Sequence, residues 1–499
     1  MIGAGIGGLA VAARLAAAGR RVVVCEQAEI VGGKLGIHRQ QGFAFDTGPS
    51  LVTLPYVLDD LLSAVGIVRS DVLELRRLDP VARYRFGDGT WFDAPAGAAE
   101  FEQAVEEMRS GNALQWRAFY DRARRIWDAT HGPFLETPMA GGWGLVRQAV
   151  RVRDLTTIAP YRTLRSLAEH YLDDPRLVAF VDRYATYTGS DPRRAPAALA
   201  SVPYAERCFG AWYVDGGLRR IAEVLRDRCV ALGVDIRMRA DVVEVLVRGG
   251  RAVGVALADG TRIDAATVVA NADAAHLYGD LVPAGTARAA ALRALGKSEP
   301  SLSGFVLCLG VRGPTDVKAH HTVLFPEHYD DEFDAIFGRA HRHRGRSVLR
   351  RTVSDPTIYI SNPNDPAVRP EGHEAWFVLV NAPRHDPMAR SWAGVDWRRP
   401  GLADEYAGQV LDRLAQRGID VRDRVVLREI RSPADLAERT RADGGSIYGT
   451  SSNGARAAFL RPPNRSPLPG LFLVGGSSHP GGGLPLVMLS AQITAGLIL

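Results

Sequence analysis

The chain has 499 residues, 46% of them hydrophobic and 23% charged, the balance of a folded globular protein rather than a disordered one. That length exceeds what one core holds comfortably, so two domains are expected, in tandem or interleaved. The formal net charge of +5 is spread along the chain with no DNA- or RNA-binding motif, which argues against a nucleic-acid partner and suits an anionic membrane surface.

The first elements read as turn, helix and strand. "MIGAGIGGLAVAARLAAAGRRVVVCEQ" puts five glycines in its first nineteen residues. A secretory signal carries basic residues ahead of its apolar run, and none is present here. Gly3, Gly5 and Gly8 instead spell G-x-G-x-x-G, ahead of an Ala- and Leu-rich helix over 9–18 that Gly19 stops. A buried strand over 22–25 follows, and Glu26 ends it eighteen positions after Gly8, where a dinucleotide fold places an acid for the ribose diol. In this reading Gly3 makes the tight turn, Gly5 admits a pyrophosphate and Gly8 lets the helix sit close on the sheet. The helix N-terminus then offers its free N–H groups to the phosphates. A purely structural glycine turn is the alternative, and the strand and acid in register argue against it. Only Met1 and Ile2 precede the first glycine, so the first strand is expected to be short, with its remainder upstream of Met1.

Gly32-Gly33-Lys34 and Asp46-Thr47-Gly48-Pro49-Ser50 form two further glycine loops. Three such loops in fifty residues suit a backbone wrapped against one large ligand, with three ordinary turns as the alternative. From about 56 to 200 the pattern turns helical and aromatic, and "LQWRAFYDRARRIWDA" predicts a helix of a cap. Residues 242–273 alternate strands with Gly249-Gly250 and Asp259-Gly260 turns, a β-meander. Strands at 305–310 and 375–380 suit a substrate-domain sheet, and "GRAHRHRGRSVLRR" between them reads as a solvated loop, with a binding patch as the alternative.

Cys25, Cys208, Cys229 and Cys308 lack zinc spacing and read as reduced thiols. His320 and His321 are adjacent, and neighbours on a strand point to opposite faces, so no metal is expected. The chain ends "LPGLFLVGGSSHPGGGLPLVMLSAQITAGLIL": a strand at 471–474, a glycine turn, and a helix with Pro485 in its first turn. Residues 484–499 fall short of the roughly 20 apolar residues that span a bilayer, and predict a buried helix. Its N-terminus is aimed at a ligand, and a flavin ring suits it because the reduced ring carries negative charge.

The blocks Gly3 to Gly8 with Glu26, Gly32-Gly33-Lys34, "FDTGPS", "RYATYTGSDPRRAP", "GAWYVDGGL", "VVANAD", "AHHTVLFPEHYDDEFDAIF" and "LFLVGGSSHPGGGLP" occur in order along the chain. In them the sequence resembles the bacterial carotenoid (phytoene) desaturases of the flavin-dependent amine-oxidase-like superfamily. "RYATYTG" resembles the enzymes acting late, on hydroxylated or already desaturated chains. The resemblance implies an α/β fold: a Rossmann-like FAD-binding domain of 1–60, 201–275 and 441–499, interleaved with an α+β substrate domain. The latter comprises a helical, membrane-facing region over 61–200 and a sheet over 276–440. It implies FAD with its ADP at Gly3, Ala4, Gly5, Gly7, Gly8 and Glu26, its pyrophosphate near Gly32, Gly33 and Lys34, and Val243 beside the adenine. Gly48, Pro49 and Ser50 belong to the same cofactor site, and the ring is expected under Gly475, Gly476, Gly482, Gly483 and Leu484. The implied partners are a hydrophobic carotenoid, the cytoplasmic membrane surface as a peripheral contact of a cytoplasmic protein, and a quinone or oxygen as electron acceptor.

One dinucleotide fingerprint leaves no second site for NAD(P)H, so a flavin here takes electrons from its substrate, which is oxidation. No pair of residues announces a catalytic base. Asp46 and His479 lie in loops expected near the ring and are the catalytic candidates, with loop hydrogen bonding the preferred reading of each. The stretch 141–172 intersperses Arg147, Arg151, Arg153, Arg162 and Arg165 with apolar residues, as an interfacial helix or a core-packing pair does. The rival activities are a polyene isomerase or saturase, another flavin oxidase, and a non-catalytic carotenoid- or flavin-binding protein.

Overall fold

The computed structural model describes residues 1–139, 157–338, 350–390, 394–454, 457 and 460–499. A parallel sheet is built around a single residue. Ile2 bridges Cys25 on one side and Ala270 on the other. Beyond them Val23–Cys25 pairs with Asp235–Arg237, and Val268–Ala270 pairs with Leu471–Leu473, all in parallel. The stub is fastened on both sides: the N-terminal amine donates to the Val23 carbonyl, Ile2 N–H to that of Val269, and the Asn271 N–H to that of Ile2, each at 2.8 Å.

Helix Ile6–Ala17 packs between the C-terminal helix Leu484–Ile498 and helix Arg219–Ala231. Leu9, Ala10, Val11, Ala12 and Ala13 are all fully buried, which explains a helix of small residues that is apolar all round. No described helix is long and apolar enough to cross a membrane. Val242–Arg248, Arg251–Leu257 and Arg262–Asp264 form the antiparallel meander expected from their turns.

The second sheet has seven strands, in spatial order Val425–Arg431, Ser303–Arg312, His373–Ala382, Ile358–Ser361, His321–Leu324, Ala82–Arg85 and Trp91–Ala94. The last two correct the expectation that 61–200 is helical. "ARYRFGDGTWFDA" alternates buried and partly exposed positions, with Tyr84, Phe92 and Ala94 inward, so period two rather than 3.6 governs that stretch. Leu75–Arg77 is a further strand there, paired with Trp212–Val214. Downstream the cap is helical, with Ala98–Met108, Asn112–Thr130, Leu164–Tyr171 and Pro175–Asp182 sharing an aromatic core of Phe101, Trp116, Phe119 and Phe180.

Of the candidate interfacial stretch, 141–156 lies outside the described residues, as does 339–349 of the basic run. Arg165 is turned inward, paired with buried Asp182 and with Asp330 at 2.8 Å, so it ties the cap to helix Asp330–Phe337. His320 and His321 are both buried, with their rings edge-on at 4.5 Å rather than on opposite faces, because His320 precedes its strand.

Candidate functional site

A cavity of about 490 Å³ is lined by both sheets and by all three glycine loops. Its first wall is the Gly3–Gly8 turn. Helix Ile6–Ala17 starts at Gly5 with no side chain capping it, so its N-terminal N–H groups are left for a ligand. The side chain of Asn271, at the end of strand Val268–Ala270, fills the space between the loops. β-Carbons at Gly5 and Gly475 would lie 2.5 and 2.4 Å from its amide, and one at Gly7 2.9 Å. Asn271 Nδ2 donates to the Val474 carbonyl at 3.0 Å, stapling the first glycine turn to the last. The sequence carries it inside "VVANAD", yet nothing local marks it as the post on which two loops rest.

Glu26 is buried in the wall with both oxygens held: Oε2 accepts from Ala4 N–H at 2.6 Å and Oε1 from Ala28 N–H at 2.9 Å. Each oxygen keeps a lone pair for a ribose hydroxyl. Gly32 is bridged to Gly5, and Arg219 reaches from the helix behind to donate to the carbonyls of Val31 and, at 3.3 Å, Leu35. Lys34 Nζ donates to the carbonyls of Ser446 and Ile447 at 2.9 and 2.7 Å, and its burial lowers its pKa. Asp273 lines the same wall. Its Oδ1 accepts from Ala275 N–H, while Oδ2 is buried with no partner among the described residues, and burial raises its pKa against the pull of Lys34.

Gly48 approaches so closely that a β-carbon there would lie 2.0 Å from the Lys34 carbonyl oxygen. At the opposite wall Gly483 precedes helix Leu484–Ile498, again without a side-chain cap. A β-carbon at Gly482 would strike the ring of Tyr448 at 2.4 Å. Behind this loop Arg461 donates to the carbonyls of Tyr448, Gly476 and Thr450 at 3.0, 3.1 and 2.8 Å, and burial lowers its pKa to about 10.

The cavity wall thus contains Gly3, Gly5, Gly7, Glu26, Gly32, Gly33, Lys34, Gly48, Pro49, Ser50, Gly476, Gly482, Gly483 and Leu484. Ala4, Gly8 and Gly475 stand behind it, Ala4 by its N–H to Glu26 and the two glycines by close packing. Val243 is 44% exposed, and its neighbour Val242 lines the cavity, because consecutive strand residues face opposite ways. Asp46 and His479 are also outside the wall. Asp46 accepts from the N–H groups of Leu218 and Arg219 at 2.7 and 3.1 Å, anchoring the start of the helix that carries Arg219. His479 places Nε2 3.0 Å from the Thr137 carbonyl, and its own carbonyl accepts from Asn464. Both are occupied in loop hydrogen bonding.

Beyond the glycine loops the wall becomes apolar. Leu302, Gly304, Val306, Val323, Phe377 and Leu379 of or beside the seven-stranded sheet line it, together with Tyr187, Tyr329, Tyr359, Tyr448 and Arg183.

These walls fit an extended FAD. Two uncapped helix starts, a backbone stripped of β-carbons where a pyrophosphate would pass, a preset ribose acceptor in Glu26 and an unpartnered oxygen on Asp273 match the donors and acceptors of a flavin dinucleotide. Residues 6–499 match the family model "Flavin containing amine oxidoreductase". The chain is 33% identical over 99% of its length to the 4,4'-diapolycopene oxygenase of Methylomonas sp, covering 96% of that protein. It is 32% identical over 100% of its length to the 1-hydroxycarotenoid 3,4-desaturase of Flavobacterium sp. (strain P99-3), covering 98% of it. Among solved structures, an oxidoreductase from Methanosarcina mazei shares the fold, with a TM-score of 0.64 and 18% identity over 98% of this chain and 97% of that one. The chain therefore belongs to the flavin-containing amine oxidoreductases, among the carotenoid desaturases of that family, and its cofactor is FAD.

Proposed function

We propose that the protein is an FAD-dependent carotenoid desaturase that adds conjugated double bonds to an already desaturated or hydroxylated polyene. The observation that carries this reading is the composition of one cavity, which joins a glycine-lined end that suits a dinucleotide to a stretch of apolar strand residues and tyrosines. When bound, FAD supplies a two-electron acceptor for the hydride that leaves the polyene. The chain's part is placement and dryness: Val306, Val323, Phe377 and Leu379 exclude water and hold an apolar chain in line.

Most carboxylates in the wall are engaged: Glu26 is held by backbone amides, Asp241 by Arg441 at 2.7 and 2.8 Å, and Asp435 by Ser432. Asp273 is held at Oδ1 by Ala275 and keeps Oδ2 without a partner among the described residues. Positioning and the gain of conjugation do much of the work. The proton lost from the carbon next to the hydride donor goes to a base, water or a side chain, and no acid–base pair announces itself among the described wall residues. Electrons pass on to a quinone or oxygen, and the protein works as a peripheral partner of the cytoplasmic membrane surface, where such polyenes dissolve.

The test is expression in cells supplied separately with phytoene, neurosporene and 1-hydroxyneurosporene, reading pigment mass and absorption. Loss of two hydrogens per step with a red shift supports the desaturase and fixes its substrate. A gain of oxygen would reassign the chain to oxygenation, and isomers of unchanged mass would reassign it to isomerisation.

A further inference from the structure

Arg183 opens the short helix Arg183–Thr188, and its guanidinium lies in the cavity wall with 7% of the residue exposed. Four tyrosine rings enclose it, with the centroids of Tyr187, Tyr84, Tyr359 and Tyr184 at 5.1, 5.5, 5.8 and 6.0 Å. Among the described residues its one hydrogen bond runs from Nη1 to the Tyr84 hydroxyl at 3.1 Å. The carboxylate of the cage, Glu206, is spent on the hydroxyls of Tyr184 and Tyr187 at 2.6 and 3.0 Å.

A guanidinium carries five N–H donors in a planar fork and stays charged in proteins. Ring faces steady that charge but leave the in-plane donors unfilled. Burial raises the pKa of all four tyrosines, Tyr84 to about 12, so the rings are neutral phenols and Glu206 supplies the balancing charge through their hydroxyls. The cluster therefore asks for an acceptor that need not be an anion. The cavity it faces is lined by Val323 on the sheet side and by tyrosines and Ser50, whose hydroxyl pairs with that of Tyr359. Its remaining N–H groups open onto the cavity, so a hydrocarbon that displaces water there leaves them unmet at a cost in free energy, whereas an oxygen on the ligand meets them.

We infer that Arg183 is the specificity-determining residue of this cavity, its free N–H groups taking a hydroxyl or carbonyl oxygen carried by the polyene, so that an oxygen-substituted chain is preferred to the bare hydrocarbon. This rests on the reading of the cavity as a polyene site. Substituted chains gain a charge-assisted hydrogen bond there, while unsubstituted ones leave the guanidinium unsatisfied.

The test uses FAD-loaded protein in detergent, titrated with a hydroxylated polyene and with the hydrocarbon of the same length and unsaturation, reading polyene absorption and protein fluorescence. Wild type is expected to bind the hydroxylated chain about tenfold or more tightly. Arg183→Gln and Arg183→Leu bring the two to parity by weakening only the hydroxylated chain, with FAD content unchanged. Arg183→Lys, which keeps a cation among the rings, retains part of the preference and guards against misfolding of the other two. Equal binding of both chains by wild type overturns the role of Arg183 while leaving the polyene site standing. Equal weakening of both chains by the variants, or loss of FAD, also overturns it, assigning the residue to the cavity's shape or to the cofactor. Failure of wild type to bind either chain overturns the polyene reading itself.

Discussion

A β-carbon added at Gly8 would lie 2.2 Å from the carbonyl oxygen of Gly3. That oxygen is backbone, so no side-chain rotation relieves the clash and the helix must lift from the turn. Gly8→Ala is expected to abolish FAD retention, read as flavin absorption per mole of purified protein, and to lower the yield of folded chain. Gly496→Ala is the control: nothing lies within 4 Å of the added carbon, and alanine in a helix is favoured by roughly 0.5–1 kcal/mol. If Gly8→Ala keeps its flavin, the close approach of helix and turn is not needed for the cofactor.

Glu26 is the one acid in the wall with both oxygens held by backbone amides, which fixes its position before any ligand arrives. Glu26→Gln replaces one acceptor by a donor facing a backbone N–H. FAD affinity is expected to fall by about tenfold to a hundredfold, the worth of a charge-assisted hydrogen bond. Equilibrium titration of flavin-stripped protein measures it, and unchanged affinity would remove Glu26 from the ribose site.

Removing Arg461 strands three carbonyls at once, those of Tyr448, Thr450 and Gly476. Each unsatisfied buried group costs about 1–3 kcal/mol, and relaxation of the loop recovers some of the sum. Arg461→Leu should therefore lose several kcal/mol in denaturant unfolding, and its flavin spectrum should shift as the Gly476 loop moves. A variant as stable as wild type would show that water serves those carbonyls equally well.

Burial raises the Asp46 carboxyl from 3.8 to about 6, with Arg219 opposing the shift and Asp365 reinforcing it. The native state then holds a proton that the unfolded chain has lost between about pH 4 and pH 6. Stability from this group is full below pH 4 and declines as pH rises through 6, by about 3 kcal/mol at most. Asp46→Asn should flatten that part of the stability profile, measured by urea unfolding from pH 4 to 7. Parallel profiles for the two proteins would exclude Asp46 as the titrating group.

Much of the cofactor end was legible because its requirements are local. Gly3, Gly5, Gly8 and Glu26 sit at fixed spacing on consecutive elements, and the Gly32, Gly48 and Gly482 loops announce themselves by residue type. What stayed hidden is set by distance along the chain. Asn271, Arg219 and Arg461 hold glycine loops by reaching across the fold, and nothing in their own neighbourhoods shows which carbonyl they meet. Val243 came from the resemblance alone; in the structure it is exposed and its neighbour Val242 lines the cavity. The hairpin of Ala82–Arg85 and Trp91–Ala94 was concealed in a region dominated by aromatic residues. Asp46 and His479 take the loop hydrogen-bonding role rather than a place at the ring, because being in the right loop does not decide which way a side chain turns.

The strand Leu471–Leu473 pairs with Val268–Ala270, and the helix after it packs on Ile6–Ala17, the first helix of the chain. During synthesis, therefore, the glycine turn waits for Leu471–Leu473 and the helix after it before it has its second wall. A nascent chain that has not yet reached Leu484–Ile498 cannot close on its flavin, and a message truncated before that helix yields a polypeptide with the fingerprint intact and no site to use it.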